Sequence, residues 1–407
     1  MQDTGGKPPR SAKNRQGRAE DRRSTGPSRK SRQNPRTTRT PPATLEAGLQ
    51  SYCSGETVAA IETWKLALTR ISDSAIRGEI LRNLGDAYDS LGQQEDAVDA
   101  YSRAVKAAPK MAPAWISLGA VREKAGDLEA AAACYERAAR IEPLMPGAWN
   151  SLGVAYDRLR RHAEALDCFS RAAENAPDSP TVWFNRGNAC SGMEDHEAAV
   201  AAYKMALRGL PSDPRVWYNL AHSLTRRGEI EQAIASYRES LRYAPADSST
   251  WYNLGNLFFD AARFLTAMAC YQQAITLSPE DFDAWNNLGN CWSQSGETPE
   301  AIRCYSRAVE IRPNAASSWN NLGHAWSRAG NQERAISCFK EAIHQEEEKA
   351  TYYLNRALAY ARLGYVEEVL NDLRHAVDLN PLLGELLPTL PPLAHLAEDP
   401  RFEELAR

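Results

Sequence analysis

The stretch FDAWNNLGNCWSQSGETPEAIRCYSRAVEIRP, residues 282–313, determines the fold of this chain. Moving 34 residues back from Trp285 gives Trp251, and moving 34 residues forward gives Trp319. The other residues of this stretch that recur at the same interval, identically or as close equivalents, are Gly289, Ala301, Tyr305 and Ala308. A fixed interval of this length is typical of stacked helix–turn–helix units, so the sequence predicts a solenoid.

We number each unit so that Trp285 is position 4 and Gly289 is position 8. Small residues then recur at positions 8 and 20, aromatic residues at position 24, and proline at position 32. The small residues let two helices approach closely, and each aromatic side chain supplies roughly 150–250 Å² of apolar area. The proline disfavours helical geometry in the residue before it, so it ends the second helix. Ten units fit residues 41–381, and the first of them is divergent.

These repeated residues carry a family resemblance. The pattern Trp–x2–Leu–Gly–x2–Tyr, followed by Ala–x3–Phe/Tyr–x2–Ala and a closing Pro, resembles the tetratricopeptide repeat (TPR). The resemblance implies an all-α, right-handed TPR superhelical solenoid of about ten helix–turn–helix repeats. It also implies a concave groove, lined by the first helices, that binds other proteins.

The composition divides the chain into three segments. Residues 1–40 contain twelve Lys or Arg against three Asp or Glu and almost no large apolar side chains, so we expect a disordered basic tail. The repeat array follows over residues 41–381. In residues 382–407 several prolines break the period, and Asp399–Pro400 indicates the start of a short helix. We expect this last segment to cap the apolar face of the tenth unit.

A stripe of polar side chains along the first helices is the candidate functional site. At 100° per residue, positions 6 and 9 lie opposite the core positions 4 and 8. Asparagine is a mediocre helix former, yet its amide offers both donors and an acceptor, as pairing with an extended peptide backbone requires. The asparagines of this stripe are Asn185, Asn188, Asn219, Asn253, Asn256, Asn287, Asn290, Asn321 and Asn355.

The stripe resembles the asparagine ladder of superhelical TPR domains, including those of O-GlcNAc transferases and kinesin light chains. A second interpretation is that asparagine is simply common at position 6 of such repeats and that its amide bonds to neighbouring helices, and the two interpretations can hold together. Position 13 adds Arg226, Arg328 and Arg362 to the predicted peptide-binding groove. Because arginine pairs with carboxylates, these residues favour a ligand with acidic side chains. The alternative is that they are solvated arginines without a partner.

No constellation of residues indicates catalysis. The seven histidines are scattered over several positions of the unit, and most glycines of the repeat array occupy positions 8 and 15, so no glycine-rich phosphate-binding loop is indicated. We therefore expect a non-enzymatic protein with no catalytic residue, no cofactor and no metal. Five cysteines share position 23 in different units, too far apart for the ~7 Å that a disulfide spans, so we expect free buried thiols. They are Cys134, Cys168, Cys270, Cys304 and Cys338.

The predicted function is that of a scaffold or adaptor that binds an extended peptide segment of partner proteins in its concave groove. No run approaches the ~20 apolar residues of a membrane span, and no secretory signal is evident, so we expect a cytoplasmic location without membrane contact. One alternative is a nucleic-acid-associated adaptor anchored by residues 1–40, whose cations suit phosphates. Another is a substrate-docking subunit of a separate enzyme.

Overall fold

The computed structural model describes residues 43–406, and its first twenty helices form ten consecutive pairs. The predicted disordered tail, residues 1–40, lies outside this range. The first helices of the pairs are α1 (Ala43–Cys53), α3 (Ser74–Ser90), α5 (Ala112–Lys124), α7 (Pro146–Arg158), α9 (Pro180–Gly192), α11 (Pro214–Arg226), α13 (Ser248–Asp260), α15 (Phe282–Gln294), α17 (Ala316–Arg328) and α19 (Ala350–Leu363). The second helices are α2 (Thr57–Arg70), α4 (Gln94–Ala107), α6 (Leu128–Ile141), α8 (His162–Asn175), α10 (His196–Ala206), α12 (Ile230–Tyr243), α14 (Phe264–Leu277), α16 (Thr298–Ile311), α18 (Gln332–Gln345) and α20 (Val366–Leu379).

The pairs stack in chain order, which confirms the predicted all-α superhelical solenoid. Each second helix packs against the first helix of its own unit and that of the next, as α4 does with α3 and α5. First helices of successive units also touch, as α3 does with α5 and α17 with α19, whereas no comparable contact joins successive second helices in residues 43–406. The first helices therefore line the inner, concave side of the solenoid.

Close approach within eight of the ten units depends on a glycine at position 8, and alanine takes this place in units six and ten. A Cβ atom on Gly289 would lie 2.7 Å from Cε1 of Tyr305, the buried aromatic residue at position 24. Carbon atoms in contact are normally about 3.5–4.0 Å apart, so the glycine makes room for the ring. The same arrangement joins Gly255 to Tyr271.

The tryptophan at position 4 connects consecutive units through a hydrogen bond. Trp285 is half-buried, and its Nε1 donates to the carbonyl oxygen of Pro279 at 2.9 Å. The proline that ends one helix thus also supplies an acceptor to the next unit. The same bond is made by Trp115, Trp149, Trp183, Trp217, Trp251 and Trp319.

The turn inside each unit uses a left-handed residue at position 15. Gly296 has a φ of 83°, a conformation that glycine adopts without steric cost. Arg160, Glu194 and Ala262 occupy the same position in other units, with φ between 56° and 63°. A side chain in this region costs roughly 1–2 kcal/mol, so these three turns are less favourable than the glycine turns.

The tenth unit is covered by the segment that follows it. Two 3-10 helices, Pro381–Thr389 and Pro391–Leu396, lead to α21 (Pro400–Leu405). Apolar side chains of these segments, among them Leu393 and Phe402, pack with residues of α19 and α20 in one buried cluster. Asp399 accepts a hydrogen bond from the backbone N–H of Arg401 at 2.9 Å and so caps α21.

All eight cysteines are free thiols, and every one except Cys53 is buried. Burial raises the pKa of Cys304 to about 12, so its thiol stays protonated at neutral pH. The seven buried thiols therefore behave as small apolar residues of the core.

Candidate functional site

The position-9 asparagines accept hydrogen bonds from the tyrosine at position 24 of their own unit. Tyr271 donates to Oδ1 of Asn256 at 2.7 Å, and burial raises the pKa of this tyrosine above its ordinary value, so the hydroxyl remains a donor. The other two pairs are Tyr203 with Asn188 at 2.9 Å and Tyr305 with Asn290 at 2.7 Å. Position 9 thus has a packing role that the sequence interpretation missed. The sequence signal for this contact is that each of these asparagines is followed fifteen residues later by a tyrosine.

The position-6 asparagines are half-buried, and their amides donate to the preceding unit. Nδ2 of Asn253 donates to the hydroxyl of Tyr218 at 2.9 Å. Nδ2 of Asn287 donates to Tyr252 at 3.2 Å and to Asn256 at 3.1 Å. The remaining donors are Asn185 to Asn150, Asn219 to Asn188, Asn321 to Asn286 and Asn355 to Asn320, at 2.8–3.4 Å. The structure therefore contains the hydrogen bonds to neighbouring helices that formed the second interpretation of the position-6 asparagines.

These contacts leave complementary groups unbonded at positions 6 and 9. Within residues 43–406, no donor reaches Oδ1 of Asn185, Asn219, Asn253, Asn321 or Asn355. At position 9 the situation is reversed, because Oδ1 is occupied while Nδ2 of Asn188 and of Asn256 donates to no described residue. The stripe therefore offers acceptors at one position and donors three residues later.

The three predicted groove arginines are exposed and share one row at position 13. Nη1 of Arg328 donates to the carbonyl oxygen of Ser293 at 2.9 Å and to its Oγ at 3.1 Å. Nη1 of Arg362 donates to Oγ of Ser327 at 3.0 Å. Arg226 makes no hydrogen bond or ion pair within the described part of the chain. The structure thus brings Arg328 and Arg362 to adjacent units, with Arg226 three units before Arg328.

Two clefts open beside the stripe. One of about 570 Å³ lies at units five to seven, where Phe184 and Tyr218 form apolar walls and Arg215 stacks 5.7 Å from the ring of Phe184. The other, of about 340 Å³, lies at units seven to nine and is mostly polar, with Asn321 and Arg328 in its lining. Each cleft thus includes at least one asparagine of the stripe and one arginine, which is Arg215 in the first cleft and Arg328 of the position-13 row in the second.

No group of three or more His, Cys, Asp or Glu side chains in residues 43–406 is placed to bind a metal ion. Likewise, none of the helices described above has both the length and the apolarity needed to cross a bilayer. The stripe and its clefts remain the candidate site.

Family models match most of the repeat array. One tetratricopeptide-repeat model matches residues 116–180, and a second matches residues 79–111 and 180–208. A model of the C-terminal domain of cilia and flagella-associated protein 70 matches residues 200–387. The chain belongs to the tetratricopeptide-repeat family. Its TPR units make it a protein-interaction scaffold.

Individual relatives of this TPR protein are distant. The photosystem I assembly protein Ycf3 of Synechococcus sp. (strain CC9902) is 32% identical over 76 residues, which is 19% of this chain and 44% of that protein. The chain thus spans less than half the length of this curated relative. The C-terminal part of a TPR repeat-containing protein from Cytophaga hutchinsonii is 14% identical, with a TM-score of 0.52 over 56% of this chain and 94% of that one. This similarity shows the fold alone.

A further TPR structure is that of YrrB, a TPR protein with an unusual peptide-binding site. It is 24% identical to this chain, covers 45% of it and 94% of its own length, and has a TM-score of 0.41.

Proposed function

We propose that this TPR scaffold binds an extended segment of a partner protein along its concave groove, mainly through the partner's backbone. The observation that carries the proposal is the complementary set of unbonded groups, with acceptors at position 6 and donors at position 9. An extended backbone presents N–H and C=O groups in turn, and both kinds find a counterpart on the stripe.

The dimensions of the repeat suit this mode of binding. Neighbouring helices pack about 8–10 Å apart, and an extended chain advances about 3.3 Å per residue. Each unit therefore corresponds to about three residues of ligand. Because the stripe contacts backbone rather than side chains, several partner sequences fit the same groove.

Replacing Asn219, Asn253 and Asn321, whose Oδ1 atoms are all unbonded, together with serine should reduce capture of a randomised peptide pool at least tenfold. Each lost hydrogen bond contributes about 1 kcal/mol, and three of them act together. Serine is the chosen residue because Ser117 and Ser151 already occupy position 6 in units three and four. Retention of fluorescent peptides on the immobilised full-length protein measures the effect.

A matched variant controls for the loss of three asparagines. Asn175, Asn314 and Asn371 are exposed and lie outside the stripe, so their replacement with serine should leave capture unchanged. A pool with N-methylated backbones should bind poorly to the wild-type protein, because methylation removes the N–H donors. Undiminished capture of the methylated pool would refute backbone pairing.

Deleting residues 1–40 separates this function from the nucleic-acid alternative. The scaffold proposal expects peptide capture to survive the deletion, because the stripe begins far beyond the tail. The deletion should abolish any salt-dependent retention of RNA or DNA, since the tail contributes a net charge of +9 against −13 for the remainder. Peptide capture and oligonucleotide retention, measured on the same two proteins, distinguish these outcomes. Loss of peptide capture on deletion would contradict the scaffold proposal.

A further inference from the structure

The basic residues at position 13 differ along the solenoid in whether an acidic residue neutralises their charge. In units three and four the cation pairs with an acidic residue at position 12 of the preceding unit. Nζ of Lys124 contacts the carboxylate of Asp89, and Nη1 of Arg158 lies 2.7 Å from Oε1 of Glu123. The positive charge of this row is therefore neutralised in the first half of the groove.

Units nine and ten lack this compensation because serine replaces the acidic residue. Arg328 bonds to Ser293 and Arg362 bonds to Ser327, and neither arginine forms an ion pair with any residue from 43 to 406. Helices α17 and α19, which present the two arginines, contain no Asp or Glu. The two cations thus keep their charge and most of their N–H donors available.

The acidic residues of the neighbouring first helices do not restore neutrality. Asp283 in α15 lies at the opposite end of the first helix and pairs with Arg312 at 3.8 Å. Asp260 in α13 occupies position 13 two units before Arg328. The six first helices from α9 to α19 contain six arginines, of which Arg215 and Arg356 pair with carboxylates outside these helices. The other four arginines outnumber the two carboxylates that these helices carry. This half of the groove is therefore cationic.

A cleft of about 340 Å³ lies directly beside Arg328, and its other walls are polar. Asn321 and Gln294 contribute amides, and His324 contributes an imidazole whose ring packs edge-on against Phe339 at 5.5 Å. His324 is exposed, but partial desolvation of its ring and the charge of Arg362 lower its pKa, so at neutral pH the imidazole adds hydrogen-bonding capacity rather than charge. The cleft has room for one side chain of a ligand.

We propose that Arg328 and Arg362 form an anion site that binds a carboxylate or phosphorylated side chain of the segment in the groove. This inference rests on the proposed peptide binding. It also fixes where the ligand lies along the groove, because its anionic side chain would be at units nine and ten. Guanidinium groups suit both anions, because their paired N–H donors match the oxygens of carboxylate and phosphate. At units three and four the same row offers no free charge.

Four pools of short randomised peptides, each with one fixed central residue, test the site. The fixed residues are Asp, phosphoserine, Ser and Lys, and the immobilised full-length protein captures each pool separately. The Asp and phosphoserine pools should be retained about fivefold better than the Lys pool, as exposed charge-assisted pairs allow. The double variant Arg328→Gln/Arg362→Gln should lose this preference while it still retains the Ser pool.

The matched control is the double variant Lys124→Gln/Arg158→Gln, which removes the same row where it is already neutralised. It should keep the preference for anions. Equal capture of all pools by the wild-type protein, or loss of the preference in the control as well, would overturn the anion site while leaving peptide binding intact. Retention of no pool at all would mean that the peptide-groove proposal itself fails, and the anion site with it.

Discussion

Replacement of Asp372 with alanine is expected to destabilise the tenth unit by about 3–5 kcal/mol, because it leaves a half-buried arginine without its counter-ion. Asp372 in α20 is only 2% exposed and accepts two hydrogen bonds from Arg356 in α19, each at 2.7 Å. The pair is bidentate, and the side chain of Arg356 is itself only 17% exposed. Native-state hydrogen exchange in α19 and α20 measures the loss unit by unit, as suits a solenoid whose repeats contact only their neighbours.

A second substitution should rescue the first. Positions 7 and 23, which Arg356 and Asp372 occupy, hold Leu322 and Cys338 in unit nine. The double variant Arg356→Leu/Asp372→Cys therefore installs a pair that the solenoid already packs elsewhere. It should be at least as stable as the wild-type protein, since apolar replacement of a buried ion pair is often neutral or stabilising. Unchanged exchange in Asp372→Ala would show that the ion pair contributes little to this unit.

Much of the fold could be predicted from the sequence because every unit of the solenoid repeats the same local packing arrangement. The 34-residue interval and the glycine–aromatic pair at positions 8 and 24 require only contacts within one unit. Gly289 and Tyr305 illustrate this, since their sequence spacing alone indicates that helix and ring meet. The left-handed turns at Arg160 and Glu194 could likewise be located by alignment with the glycine turns, although their residue types do not favour that conformation.

The bonding of the stripe could be predicted only in part. The 34-residue period shows that the side chain of Asn253 lies on the helix face opposite the one that packs in the core. Its hydrogen-bond partner Tyr218, however, lies 35 residues earlier in the preceding unit. That contact depends on how far successive units are displaced and rotated, which the sequence of one unit does not specify. In the same way, the contrast between Arg158 and Arg328 emerges only when position 13 of one unit is considered with position 12 of the unit before it.

Replacement of Leu393 with alanine is expected to cost about 2–5 kcal/mol, the usual range for truncating a buried leucine. Leu393 lies in the second 3-10 helix, is 1% exposed, and belongs to the same buried cluster as Leu370 and Leu373 of α20. The segment after α20 packs on the apolar face of the tenth unit, and we propose that it caps that unit as solenoids require. Faster hydrogen exchange throughout α19 and α20, with little change in units one to eight, is the expected result.

The same segment supplies the control. Leu382 is 77% exposed, so Leu382→Ala should change stability by no more than about 0.5 kcal/mol. Both variants remove the same atoms from the segment that follows the repeats, and only the burial of the side chain differs. If the two variants exchange alike, the segment does not stabilise the tenth unit and the proposed cap is wrong. If only Leu393→Ala loosens α19 and α20, residues 382–407 function as the cap that the broken period predicts, and Arg362 on α19 depends on that cap for its position in the groove.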